Sequence, residues 1–219
     1  MINRPNRIRI DYFKTDGIPG GSQAWFTDYW MRIGGCAALA ACDMTICLAK
    51  NHGLRDLCSF NSRKINREDY IRLGMIMKNY IRPRVGGVVK TSIYTRGLGR
   101  YLNERGYQAE FMECQGKEDY DRAVQFVREA LSLNLPVAYL MLLHSDKRFE
   151  HLNWHWFTIT GMEIKNGRVK LTYHTYGGAN TVDFSDLWHT GRIWKGGMVA
   201  IRSIRSLSGS RKSEVLGKE

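Results

Sequence analysis

The run Cys36-Ala37-Ala38-Leu39-Ala40-Ala41-Cys42 constrains this chain more than any other stretch. Small residues of high helix propensity predict a helix over about 37–51. With Leu39, Ala40, Asp43 and Ile46-Cys47 that helix is mostly apolar around its circumference. Such a helix is stable only when other elements cover it on all sides, so it is expected at the centre of the fold. Gly34-Gly35 turns the chain into it and places Cys36 in its first turn. Unpaired N–H groups and the dipole at a helix start favour a thiolate, so Cys36 is expected to titrate below the ~8.5 of a free thiol.

A chain of 219 residues is long enough to build one large core, without disulfides or metal. Five cysteines, an odd number lying in apolar stretches, fit a reducing compartment. The basic N-terminus is not followed by an apolar run, and no segment reaches the ~20 apolar residues of a membrane span. A cytoplasmic protein with no membrane contact is expected. The formal net charge of +12 is spread along the sequence rather than clustered. It predicts weak, sequence-blind attraction to nucleic acid at most, and fits an ordinary solvated basic surface equally well.

Downstream of the central helix, Asn66-Arg67-Glu68-Asp69 opens a second helix to about Tyr80, and Thr91-Ser92 caps a third that closes at Gly106. Lys117 to Leu133 is amphipathic, with Tyr120, Val124, Val127 and Leu131 on one face. After Pro136 the texture becomes that of strands: Val137–Leu143, Trp156–Ile164, Arg168–Tyr176 after an Asn166-Gly167 turn, and Gly197–Ile204. Asp183-Phe184-Ser185-Asp186-Leu187-Trp188 reads as a short helix. Helices first and an antiparallel sheet second predict an α+β fold, one domain over 1–206 with a flexible tail over 207–219.

His155 heads the β-branched run Trp156-Phe157-Thr158-Ile159-Thr160-Gly161. A histidine on a strand beside a helix-borne thiol supplies a base. Gly35-Cys36 followed by small residues, then helices, a Pro-Val strand, His155-Trp156 with its run to Gly161, a hairpin and Asp183-Phe184-x-x-Leu187-Trp188 resembles the papain-like cysteine peptidase superfamily. More narrowly it is similar to the branch that trims double-glycine leaders from bacteriocins. That resemblance implies a papain-like α+β fold, its helical half carrying the cysteine on a central helix packed on a C-terminal antiparallel sheet. It implies Cys36 as nucleophile, His155 as general base, and a peptide or amide as substrate, with no cofactor or metal. His155 follows Cys36 at somewhat less than the roughly 130–150 residues of the papain template.

Two departures stand out. Papain-like enzymes place a glutamine shortly before the cysteine to donate to the oxyanion. Here Trp30 stands six positions before Cys36, and Gln23, the nearest glutamine, serves only if its loop folds over the site. The Asp or Asn that orients the imidazole is also missing from the end of the Arg168–Tyr176 strand, where His174, Thr175 and Tyr176 stand. Thr175 or His174 is left to hold the ring, with Asp183 a remoter substitute.

Other motifs fail. Val88-Val89-Lys90-Thr91 lacks the glycines of a phosphate loop, His151-Leu152-Asn153-Trp154-His155 lacks the glutamate of a zinc-protease helix, and there is no C-x-x-C pair. The reading is a cysteine hydrolase, peptidase or amidase, with acyl transfer served by the same groups. The alternative is an inactive papain-like fold acting as a basic binding module.

Overall fold

The computed structural model describes residues 6–207 and 214–216. In chain order the elements are β1 (Arg7–Arg9), β2 (Lys14–Thr15), β3 (Ile18–Pro19), α1 (Tyr29–Gly34), α2 (Cys36–Asn51), α3 (Arg67–Met77), α4 (Thr91–Asn103) and β4 (Tyr107–Gln115). They continue as α5 (Tyr120–Ser132), β5 (Val137–Met141), β6 (His155–Lys165), β7 (Arg168–Thr175), β8 (Gly178–Asp183), α6 (Phe184–Trp188), β9 (Gly196–Ser206) and β10 (Glu214–Leu216). The fold is α+β, with helices packed on an antiparallel sheet. Along the sheet β9, β5, β6, β7 and β8 are neighbours; β4 and β10 also pair with β9, and β1 with β6.

The alanine-rich run behaves as its composition demands. From Cys36 to Ala49 every residue of α2 is buried, and the helix packs on β5 and β6 and against α3 and α4. Adjacent residues of a strand point to opposite faces, and β6 shows what covers each one. Trp156 stacks on Tyr94 of α4 at 4.8 Å, while Phe157 stacks on Tyr139 of β5 at 4.8 Å. Tyr139 in turn meets Trp188 of α6 edge-on. The sheet therefore lies between α4 and α6.

Several boundaries differ from the sequence reading, each for a local reason. Thr91 is the first helical residue of α4 rather than its cap; Lys90 caps it, and the Thr91 hydroxyl donates to Glu113 on β4 at 2.5 Å. β4 was not expected between two helices: exposed Gln108 and Glu110 share a side with buried Met112 and Cys114, so no clean alternation runs its length. Helices and strands consequently interleave, and β1 joins the sheet from the N-terminal side. Glu214–Leu216 pairs with β9, so this part of the expected tail is a strand; residues 208–213 and 217–219 lie outside the described residues. Asn166 and Gly167 both have positive φ, as a two-residue hairpin turn requires.

No helix among the described residues is long and apolar enough to cross a membrane. All five cysteines are free and buried.

Ala40, buried in α2, lines a small internal cavity of about 20 Å³, with no room for a longer side chain. Ala40→Leu should therefore overpack the centre and cost about 1–3 kcal/mol. At roughly 2–4 °C per kcal/mol for a chain of this size, a thermal melt reads the loss. A melt matching the parent would show that α2 has slack at this position.

Candidate active site

The site begins at the junction of α1 and α2. Asp28 caps α1, accepting from the Met31 N–H at 2.9 Å, and Gly35 ends α1 and opens α2. A Cβ on Gly35 would lie 2.4 Å from the Met31 carbonyl, so only glycine permits so abrupt a passage between the helices. The next residue, Cys36, is 7% exposed. Burial pushes its thiol pKa up, opposed by the backbone N–H groups of Trp156, Ala37 and Cys36 itself. This corrects the expectation of a lowered pKa: the dipole and amides act as foreseen, but desolvation of the thiolate outweighs them.

His155 opens β6 and lines the same cleft as Cys36. Its Nε2 lies 2.6 Å from the Thr175 hydroxyl at the end of β7, so Thr175 sits where a third member orients an imidazole. Burial, and next the charge of His151, push its pKa down to about 4. The Tyr176 ring stacks on the His155 ring at 4.7 Å and 11°, its hydroxyl 3.4 Å from Nδ1. With the rings nearly parallel, that hydroxyl lies over the imidazole face, away from the in-plane lone pair. No hydrogen bond joins the Cys36 thiol to the His155 ring among the described residues. At neutral pH the cleft holds a protonated thiol and a neutral imidazole, the latter covered by Tyr176.

His174 lies beside Thr175 in sequence and lines a small cavity with Cys36 and His155, but among the described residues no hydrogen bond joins it to the His155 ring. The His174 ring packs on Tyr12 at 4.4 Å, and its Nδ1 is buried without a partner. Burial, with Arg9 secondary, pushes its pKa down to about 4. Asp183 caps α6, accepting from the Ser185 N–H at 3.0 Å, and is absent from the residues lining the cleft. Gln23 does arrive: a 3-10 turn over Gln23–Trp25 brings it into the cleft with Cys36. Its Nε2 donates to the Met31 and Arg32 carbonyls, both at 3.3 Å. Trp30 lines the cleft as well, 41% exposed.

Two residues were not singled out by sequence. Asp43 is buried seven residues after Cys36 and accepts from Tyr12 (2.6 Å), Tyr70 (2.7 Å) and Thr158 (2.8 Å). Burial raises its pKa and the three hydroxyl donors oppose that. An aspartate inside an otherwise apolar helix was the available signal, since buried carboxylates need partners. Tyr176 was the other; it precedes two glycines at a strand end, the pattern of a tight turn.

No protein-family model and no curated protein matches the chain. Among solved structures it is similar to UfSP from C. elegans, at 14% identity and a TM-score of 0.43. The alignment covers 92% of this chain but only 35% of that one, so the chain spans a minor part of that protein's length.

His155 and His174 titrate near 6.5 when unfolded and near 4 in the fold. Between those values the unfolded chain binds more protons, so stability should fall as pH drops from about 6.5 towards 4. Half-buried His52, lowered by burial, adds the same sign, whereas the raised Asp43 acts oppositely. Melting temperatures from pH 7 to pH 5 should decline, and decline less in His174→Gln. A flat profile in the parent would mean that these imidazoles are hydrated in the fold.

Proposed function

We propose that this protein is a papain-like cysteine hydrolase acting on a peptide or amide bond. The observation that carries the reading is the meeting of Cys36 and His155 in one cleft of about 700 Å³. They come from opposite halves of the sequence, the thiol at the start of a buried helix and the imidazole held through Nε2 by Thr175.

Cys36 attacks the carbonyl carbon and His155 Nδ1 takes the thiol proton as the C–S bond forms, general-base catalysis from a neutral pair. The oxyanion is held by the Cys36 backbone N–H and by Gln23, once its amide turns from the two long bonds that it now makes. His155 then protonates the departing amine, and water or another nucleophile releases the acyl group. Tyr176 covers one face of the ring and leaves the in-plane Nδ1 lone pair open towards the thiol. The narrower likeness to double-glycine leader peptidases rests on the motifs around Cys36 and His155 alone.

The covered, neutral pair also favours a second reading, an inactive papain-like fold that binds partners. Iodoacetamide labelling resolved to each cysteine separates the two. Cys58, 9% exposed, is the matched control, because its exposure is close to the 7% of Cys36 while its pKa is pushed up to about 12. Cys36 should label at least about tenfold faster than Cys58 near pH 7.5. His155→Ala should remove that advantage. Tyr176→Gly should enlarge it, by uncovering the imidazole and relieving a positive φ of 52°. If Cys36 proves no faster than Cys58 even in Tyr176→Gly, the hydrolase reading gives way to the binding module.

A further inference from the structure

The Cys36 cleft does not end at His155. Trp154, which immediately precedes that histidine, also lines a second compartment of about 710 Å³. Its floor includes Leu140, Leu142 and Trp194, and Lys90, Lys117 and Lys195 surround it. Among the described residues none of these lysines forms an ion pair, and Lys90 and Lys117 are exposed. The compartment's one acidic lining residue, Glu113, already accepts from Thr91 and Gln115.

Exposed apolar side chains concentrate on this face. Eight of the eleven large hydrophobics exposed among the described residues line the two compartments. Trp154 and Trp194 meet edge-on at 5.8 Å, 42% and 60% exposed. Trp154 is held there at φ 56°, a conformation bulky side chains avoid and one that clusters at ligand clamps.

We infer that the two compartments form one binding groove for an extended, acidic segment of a protein substrate. Apolar residues of that segment lie along the Trp154 side, and its carboxylates lie among Lys90, Lys117 and Lys195. The inference rests on the hydrolase reading, in that the segment crossing Trp154 is the part of the substrate leading away from the scissile bond. Three unpaired lysines around an apolar floor select carboxylates over ammonium groups. The apolar floor disfavours a polyphosphate backbone, whereas Glu113 offers peptide N–H groups an acceptor.

Binding is measured by fluorescence anisotropy with the full chain carrying Cys36→Ala, which prevents turnover. The probe is a fluorescein-labelled peptide of about twelve residues, ~40 Å when extended. It alternates leucine with glycine, then glutamate with glycine; a counterpart carries lysine for glutamate. At low salt the acidic peptide should bind about tenfold tighter or more. Lys90→Glu with Lys117→Glu should abolish or reverse that preference. Trp194→Ala, and independently Trp154→Gly, should weaken both peptides at least about threefold by removing apolar contact.

Equal binding of the two peptides overturns the inference, as does a preference untouched by the lysine reversals in protein whose circular dichroism and melt are unchanged. A mixed-sequence single-stranded oligonucleotide that outcompetes the acidic peptide overturns it in favour of nucleic acid. Failure of Cys36 labelling with retained peptide selectivity would sink the hydrolase reading and leave the groove. The reverse pair of results would sink only the groove.

Discussion

One buried carboxylate organises the centre of this molecule. Asp43 joins α2 to the N-terminal arm through Tyr12, to α3 through Tyr70 and to β6 through Thr158. A smooth apolar cylinder has little to fix its rotation, whereas a carboxylate that must meet three hydroxyls admits one. Losing that match strands a buried charge, which costs more than any single bond gains. Asp43 stands seven residues, about two turns, beyond Cys36, so both face the same way. On the facing strand, Thr158 donates to Asp43 and Trp156, two residues earlier, presents its N–H to Cys36. The bond that orients the helix thereby aims the thiol at the start of β6, where His155 stands.

Burial also sets the electrostatic character of the site. Thiolate and imidazolium both lose solvation here, and the amides at the start of α2 do not compensate. The neutral form is the state of lower energy for each of the two groups. The same desolvation makes any charge that develops during reaction interact more strongly with its neighbours.

Much of this was legible in sequence because it follows from short-range rules. The central helix, the Asn166-Gly167 hairpin, the capped helix from Asn66 and the α+β character all follow from composition and turn chemistry. Cys36 and His155 were named from local context, and the fold brought them to one cleft. Gln23 and Thr175 were legible as candidates but not as neighbours, since a loop must fold over to bring Gln23 to the cleft and a strand end must pair to bring Thr175 to His155. The direction of the Cys36 pKa shift was misread because a helix start shows in sequence and the depth of its burial does not. Asp43 was passed over for a related reason: its three partners lie on separate elements, and no spacing in the chain announces them.

Backbone strain at aromatic residues falls beside the same histidine. Among the described residues, five that are not glycine adopt positive φ: Asp16, Asn134, Trp154, Asn166 and Tyr176. Three are Asp or Asn, which tolerate that region because their short side chains bond locally. The other two are aromatic, and both line the cleft with His155. Neither turn requires a ring, and asparagine or glycine would relieve about 1–3 kcal/mol at each. One ring lies across the face of the imidazole, and the other lines both compartments. The two strained aromatics flank one histidine, one against its imidazole face and the other where the two compartments adjoin.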